Sequence, residues 1–284
     1  MQFIYRLRSF FLVKFLIKNK FIAISVKKIL NFLNKKITFK LANVNSYKMI
    51  LDLSEPIQRQ MYKGSYEPVQ TRWFNSLIKQ DDLVVDIGAS FGYFTTLASK
   101  LKAKVIAFEP SLRASSTIYK TIQFNKIENV ELYQYAIGES EGLIEIQIPP
   151  NYFESHSPSI IKTPWQNDDW KSTLVPMISL DKFFKSLITR GNEKISMIKI
   201  DAEGFEPEII RGLSGLAKNN LIKNIICEFN SNWLERNGSS HQELLELIKS
   251  YGFKVSDSTE LLTSYEEKDG KFHTLQDFLF EKII

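Results

Sequence analysis

The sequence predicts an α/β fold in which a mostly parallel sheet is covered by helices on both faces. Three observations carry this reading. Short apolar runs of the length of buried strands recur around residues 82–87, 104–108, 130–136, 195–200 and 225–229. Segments with helical apolar spacing separate most of them, and strands alternating with helices give parallel pairing. The stretch Asp86-Ile87-Gly88-Ala89-Ser90-Phe91-Gly92 then sets a glycine turn between the first run and the first helix of the alternation.

The chain has 284 residues, 44% of them hydrophobic and 24% charged, a balance that supports a buried core and excludes general disorder. Its single cysteine, Cys227, excludes an intramolecular disulfide framework. The net charge of +5 is unevenly placed. Residues 1–40 hold ten Lys or Arg and no acid, which leaves 27 bases against 32 acids from residue 41 onward. Basicity therefore belongs to one end, and the expectation is no nucleic-acid partner. Phe3, Leu7, Phe10, Phe11, Phe15, Ile22 and Phe32 lie among the bases without Pro or Gly, which reads as a basic amphipathic helical arm over residues 1–45. Its charge-free stretches are shorter than a spanning helix needs, and lysines interrupt any signal-peptide core. A cytoplasmic protein is expected, its arm either touching an anionic membrane face or packing on its own domain or a second subunit.

Residues 46–284 form the folded domain. Val69, Trp73, Phe74, Leu77 and Ile78 mark a helix over Glu67–Lys79. The strand 82–87, a helix carrying Phe94, Leu97, Ala98 and Leu101, and the strand 104–108 make a first strand-helix-strand unit. A helix around Ile118 and Ile122 and the strand Val130–Ala136 follow. Leu143–Ile148 alternates with period two and suggests an antiparallel excursion at the sheet edge. Pro149–Thr173 reads as a long irregular loop facing substrate. The strand Ile195–Ile200, a helix over Pro207–Leu216 and the strand Ile225–Phe229 give another cycle. Ser240-His241-Gln242-Glu243 is a capping box for a helix that Gly252 stops. Strands Phe253–Ser256 and Phe278–Ile283 close the domain.

Open α/β sheets bind ligands at the carboxyl ends of their strands, where the glycine turn falls. Gly88 and Gly92 allow close backbone approach, and Glu109, at the end of the second strand, is placed to accept hydrogen bonds from a ribose diol. Together they describe a nucleoside site. The glycine spacing differs from the dinucleotide fingerprint, and no phosphate-loop Lys is present.

Val84-Val85-Asp86-Ile87-Gly88-Ala89-Ser90-Phe91-Gly92-Tyr93-Phe94-Thr95 and Val105-Ile106-Ala107-Phe108-Glu109-Pro110 resemble the FkbM family of S-adenosylmethionine-dependent methyltransferases. A second signature agrees in order and content: Ser179-Leu180-Asp181, then Ile198-Lys199-Ile200-Asp201-Ala202-Glu203-Gly204-Phe205-Glu206. The resemblance covers about residues 60–284; the family commonly has Asn where this chain has Ser90, and often Val in place of Ala202. It implies a class I methyltransferase (Rossmann-like) fold with a seven-stranded, mostly parallel sheet whose last strand is antiparallel. It also implies methyl transfer, usually to a hydroxyl of a sugar or natural product. S-adenosyl-L-methionine would then lie with its methionine end against Asp86, Gly88 and Gly92, with Ser90 in the same loop. Its ribose would meet Glu109, and its adenine the residues around Ala136 and Ile137.

Read chemically, Lys199, Asp201 and Glu203 alternate and share one face if the strand runs that far. Asp201 is expected to orient the acceptor or act as general base, Glu203 to partner it and Lys199 to hold their geometry. His156, in the long loop, is a second candidate base. No residue is assigned as a metal ligand. Asp201, Glu203 and Glu228 are the oxygen set that a divalent cation would use, a possibility not favoured. Trp165, Trp170 and Trp233 are candidates for stacking on a sugar or for lid packing. Two rival functions follow from the same residues: an NAD-dependent oxidoreductase, and a non-catalytic binding module recruited to a membrane.

Overall fold

The computed structural model describes residues 39–148, 160, 170–185, 194–258, 263–266 and 272–283. The chain divides into two compact units, Met1–Lys40 and Leu41–Ile284. Residues 1–38, the bulk of the expected arm, lie outside the described residues, as do His156 and Trp165. Phe39–Val44 is a strand, although the helical arm was expected to run to residue 45.

That strand, β1 (Phe39–Val44), turns through Asn45 and Ser46 into β2 (Tyr47–Asp52). Both turn residues have positive φ, 52° and 72°, the backbone of a tight two-residue hairpin. Ala42, Val44, Met49 and Leu51 pack with Met61 of helix α1 (Pro56–Lys63). Helix α2 (Pro68–Leu77) follows and buries Trp73 and Phe74.

The main sheet contains β3 (Leu83–Ile87), β4 (Lys104–Phe108), β5 (Val130–Tyr133), β9 (Ile195–Ile200), β10 (Ile222–Asn230), β11 (Phe253–Ser258), β12 (Thr263–Glu266) and β13 (Phe272–Lys282). Its order is β11-β13-β10-β9-β3-β4-β5, with β12 also paired to β13. The five strands from β10 to β5 are parallel, while β13 runs antiparallel to β10 and β11 antiparallel to β13. Every residue of β3 and β9 is buried, as expected of strands covered on both faces. From β3 the chain proceeds outward through β4 and β5; from β9 it proceeds the other way through β10. The boundary between β3 and β9 is thus the point where strand order reverses, and ligands bind outside the carboxyl ends there.

Three local readings are corrected. The strand expected over 130–136 stops at Tyr133, because its partner β4 ends at the paired residue Phe108. Ala136 and Ile137 form β6 in a separate three-stranded sheet with β7 (Gly142–Ile148) and β8 (Lys171–Ile178). The period-two segment 142–148 thus pairs antiparallel with β8 and away from the main sheet, and residues 171–173 are strand rather than loop. The helix expected over 207–216 is broken into α6 (Glu206–Arg211) and α7 (Ser214–Lys218). At the break, the Gly138 carbonyl oxygen occupies space only 2.1 Å from where a Cβ on Gly212 would lie. The Asp181 carboxylate then accepts from the Gly215 and Leu216 amides at 2.7 and 2.9 Å, giving α7 its own N-terminal cap. Asp181 itself follows Leu180, the first residue of the short helix α5 (Leu180–Phe183).

The remaining helices are α3 (Tyr93–Lys100), α4 (Leu112–Asn125), α8 (Ser231–Arg236) and α9 (His241–Ser250). The Ser240 half of the expected capping box forms: its hydroxyl accepts from the Glu243 amide. Among the described residues no helix is long and apolar enough to cross a membrane.

Candidate active site at the β3 and β9 ends

The turn after β3 is built by backbone that only particular residues allow. Gly88 has φ +73°, and a Cβ there would lie 1.8 Å from the Asp201 carbonyl oxygen. The amides of Gly88 and Ala89 both donate to the Phe108 carbonyl, at 3.0 and 3.1 Å, which ties the turn to the end of β4. Ser90 is left-handed at φ 50°, and Gly92, at φ 85°, opens α3. The Ser90 amide donates to Glu109 Oε2 and the Ser111 amide to Glu109 Oε1, both at 2.8 Å. Each carboxylate oxygen keeps an acceptor site beyond its amide. Burial raises the Glu109 pKa to about 7 against the opposing pull of these two amides.

Asp86 is 1% exposed. Its Oδ2 accepts from the Thr95 hydroxyl at 2.6 Å, and its Oδ1 has no hydrogen-bond partner among the described residues. An orphaned carboxylate oxygen in a buried position is costly unless a donor arrives. Asp86 and Lys199 are register partners on adjacent strands. Lys199 is also buried, with Nζ 2.9 Å from Asp201 Oδ2. Burial works against the Lys199 charge, but Asp201 and Asp86 outweigh it and raise the pKa. Burial raises the Asp86 pKa, which Lys199 opposes.

β9 ends at Ile200, so the expected alternation of three polar side chains along one strand face is not formed. Lys199 and Asp201 do meet. Glu203 instead sits in a turn at φ 51°, followed by Gly204 at φ 92°. A Cβ on Gly204 would lie 2.5 Å from the Trp233 carbonyl oxygen, so the turn packs directly on the start of α8. Trp233 is buried there as packing. Glu206 Oε1 accepts from the Ala202 and Gly204 amides at 2.9 and 3.2 Å and holds the turn closed. Burial lifts the Glu206 pKa to about 8.

A cavity of about 830 Å³ opens over these ends, within the size range of ligand sites. Gly88, Ser90, Glu109, Ala136, Ile137, Asp201, Glu203 and Glu228 line it. Glu55, Tyr66, Glu67 and Arg113 do so as well, and the sequence reading had not singled them out. Arg113 reaches Glu55 at 3.3 Å, and its guanidinium lies 5.8 Å from the centre of the Phe91 ring. Burial raises the Glu67 pKa, as does the Asp201 charge. Asp277, the β13 partner of Glu228 across the sheet, accepts from the Gln70 side chain, and burial with the Glu67 and Asp201 charges lifts its pKa to about 7. Among the described residues no group of three His, Cys, Asp or Glu side chains is arranged to hold a metal ion.

The methyltransferase FkbM domain model matches residues 86–255, more than half of the chain. The chain belongs to the FkbM methyltransferase family. Its relatives include "Methyltransferase 1" of Beauveria bassiana (strain ARSEF 2860), 23% identical over 161 residues, 52% of this chain. This chain spans 64% of the length of that relative. Among solved structures, precorrin-6y C5,15-methyltransferase from Geobacter metallireducens GS-15 aligns at TM-score 0.44 and 13% identity, over 77% of this chain and 89% of that one. TYW2 of M. jannaschii in complex with AdoMet aligns at TM-score 0.40 and 16% identity, over 87% and 88%.

The class I methyltransferase fold rests on the strand order, with antiparallel β13 inserted between β10 and β11. The FkbM segment begins at Asp86, so Glu55, Tyr66 and Glu67 reach the cavity from elements that precede it. Of the residues anticipated at the site, Gly88, Ser90, Glu109, Ala136, Asp201 and Glu203 line the main cavity. Asp86 and Lys199 line a small adjoining recess that shares Gly88, Ser90 and Asp201 with it. Gly92 serves as the left-handed start of α3, close to Ile118. Asp277 carried one usable signal, an acid immediately before the apolar run Phe278-Leu279-Phe280. Glu55 and Tyr66 carried none.

Proposed function

We propose that this FkbM protein is an S-adenosylmethionine-dependent methyltransferase acting on a hydroxyl of a glycan or natural-product acceptor. The observation that carries the reading is Asp86. Among the described residues its buried Oδ1 has no hydrogen-bond partner beside the glycine turn, and it fits the aminoacyl ammonium of the cofactor. Gly88, packed against the Asp201 carbonyl, lines the cavity beside it, and the remaining acceptor sites of Glu109 fit the ribose hydroxyls. Ala136, Ile137 and Phe108 offer apolar wall to the adenine. When bound, the cofactor supplies a methyl group on a positively charged sulfur.

Asp201, held by Lys199, would accept the proton of the acceptor hydroxyl as that oxygen takes the methyl group, the cofactor leaving as a neutral thioether. In-line alignment supplies a large part of the rate, and Asp201 supplies orientation and proton acceptance. Glu203 lines the same cavity and supports that geometry. The acid-rich wall of Glu67, Asp201, Glu203 and Glu228 disfavours a phosphodiester acceptor, which supports the reading without nucleic acid. Residues 1–40, through their ten bases, make a peripheral contact with an anionic membrane face on the cytoplasmic side.

Calorimetric titration with S-adenosylhomocysteine and, separately, with NAD tests the cofactor. Binding of the first alone, lost in Glu109→Ala, is the expected result. Binding of NAD alone would replace the reading with an oxidoreductase. Binding of neither to folded protein would leave a non-catalytic module. With glycan acceptors, turnover with and without a chelator tests the oxygen-donor alternative at Asp201, Glu203 and Glu228.

A further inference from the structure

Among the described residues, the β1–β2 hairpin buries one face and exposes the other. Ala42, Val44, Met49 and Leu51 face inward against Met61. The period of two sends Phe39, Leu41 and Ile50 to the other side, where they are 60%, 56% and 55% exposed. The two-residue turn at Asn45-Ser46 sets Leu41 across from Ile50, so these side chains are cross-strand neighbours. The outer face of the hairpin thus presents large apolar groups to solvent, together with exposed Lys48. Sequence supplies the second observation. The chain running into Phe39 is the segment with ten bases and no acid, while residues 41–284 carry more acids than bases. Attraction to an anionic surface therefore belongs to the end of the chain where this apolar face lies.

We propose that the outer face of the β1–β2 hairpin docks on an anionic lipid bilayer, with Phe39, Leu41 and Ile50 entering the headgroup boundary. This rests on the reading of residues 1–40 as a membrane contact and is independent of methyl transfer. Bases gather the protein at the surface, and the hairpin adds an apolar hold that salt does not screen. Stable attachment to a bilayer commonly needs two such signals, since one alone gives marginal, reversible binding.

The experiment sediments full-length protein with phosphatidylcholine vesicles containing a quarter phosphatidylglycerol, and with pure phosphatidylcholine vesicles, at low and high salt. Wild type binds the anionic vesicles and not the neutral ones. The Leu41→Ser/Ile50→Ser protein partitions roughly tenfold less well, and salt removes what binding remains. Both positions are exposed, so its melting temperature and its S-adenosylhomocysteine affinity match wild type. A full-length protein with Lys14, Lys18, Lys20, Lys27 and Lys28 changed to Gln also binds weakly. If the Leu41→Ser/Ile50→Ser protein binds as wild type does, the hairpin proposal is overturned and the basic segment alone makes the contact. If wild type ignores anionic vesicles, or binds neutral ones equally, both the proposal and the reading of residues 1–40 fail.

Discussion

Lys199 Nζ lies 2.9 Å from Asp201 Oδ2, with the lysine side chain 5% and the aspartate side chain 31% exposed. One member of this pair is therefore inside the sheet and the other at the cavity. The same ammonium lowers the pKa values of Asp86, Glu67 and Asp277, each of which burial raises. Lys199 is a cation that opposes the upward push of burial on this group of acids.

Lys199→Met should therefore shift acid titration upward. In the proposed reading, Asp86 receives the cofactor ammonium in its ionised form. The acidic limb of S-adenosylhomocysteine binding is expected to move toward alkaline pH by about one unit, the size of effect an adjacent opposite charge exerts. Dissociation constants measured from pH 5.5 to 8.5 check this. An unmoved limb would show that Lys199 does not govern Asp86.

Asp201→Asn keeps the shape of the side chain and removes its capacity to take a full proton. Cofactor affinity should stay within about threefold of wild type while turnover falls by roughly 100-fold or more, the usual weight of general-base catalysis. Steady-state rates with a competent acceptor, set beside calorimetry, separate the two effects. Unchanged turnover would remove Asp201 from the proton-accepting role.

Gly88 and Ser90 are both left-handed, but for different neighbours. In Gly88→Ala the new Cβ meets the Asp201 carbonyl oxygen, a backbone atom that cannot step aside without displacing the end of β9. A loss of at least about 3 kcal/mol and of cofactor binding is expected. Asn tolerates the left-handed region better than Ser, so Ser90→Asn should gain up to about 1 kcal/mol, and Ser90→Val should lose at least as much. Thermal melts of the three proteins test the ordering.

Glu206, Glu109 and Asp277 all have pKa values raised on folding, to about 8, 7 and 7, with burial the first cause in each. Carboxyls of this kind favour the folded state below their unfolded pKa values. That contribution is lost as pH rises through the folded values. The ligand-free protein should therefore melt at progressively lower temperature from pH 5 to pH 8.5. Glu206→Gln keeps an acceptor for the Ala202 and Gly204 amides and cannot ionise, so it should flatten the part of that slope above pH 7. Equal slopes in the two proteins would show that Glu206 does not titrate in this window.

Much of the parallel sheet was legible because its signals are local. β3 and β9 are unbroken apolar runs, the glycine turn after β3 needs residues that accept positive φ, and the Ser240 cap is made within four residues. Glu109 and Asp201 were legible for the same reason, each lying at the end of a strand whose extent the pattern gives. The cavity wall contributed by the residues flanking α1 was not, because nothing in Glu55, Tyr66 or Glu67 signals which distant strand end they will face. The break between α6 and α7 also escaped, since it depends on Gly138 and Asp181 arriving from remote segments. So did the end of β5, which is set by where β4 ends.

The sequence by itself determined the alternation of strands and helices, the glycine turn at the end of the first strand, and the separation of a basic segment from an acidic domain. These follow from side-chain periodicity, backbone sterics and charge counts, which are properties of contiguous residues. Only the tertiary structure decided that, among the described residues, Asp86 keeps an unpartnered oxygen, that Lys199 grips Asp201 after the strand has ended, and that Leu41 and Ile50 stand together on an exposed face. Each depends on which segments burial and strand pairing bring together, and the free energy of a buried polar group is fixed by neighbours that are distant in the chain.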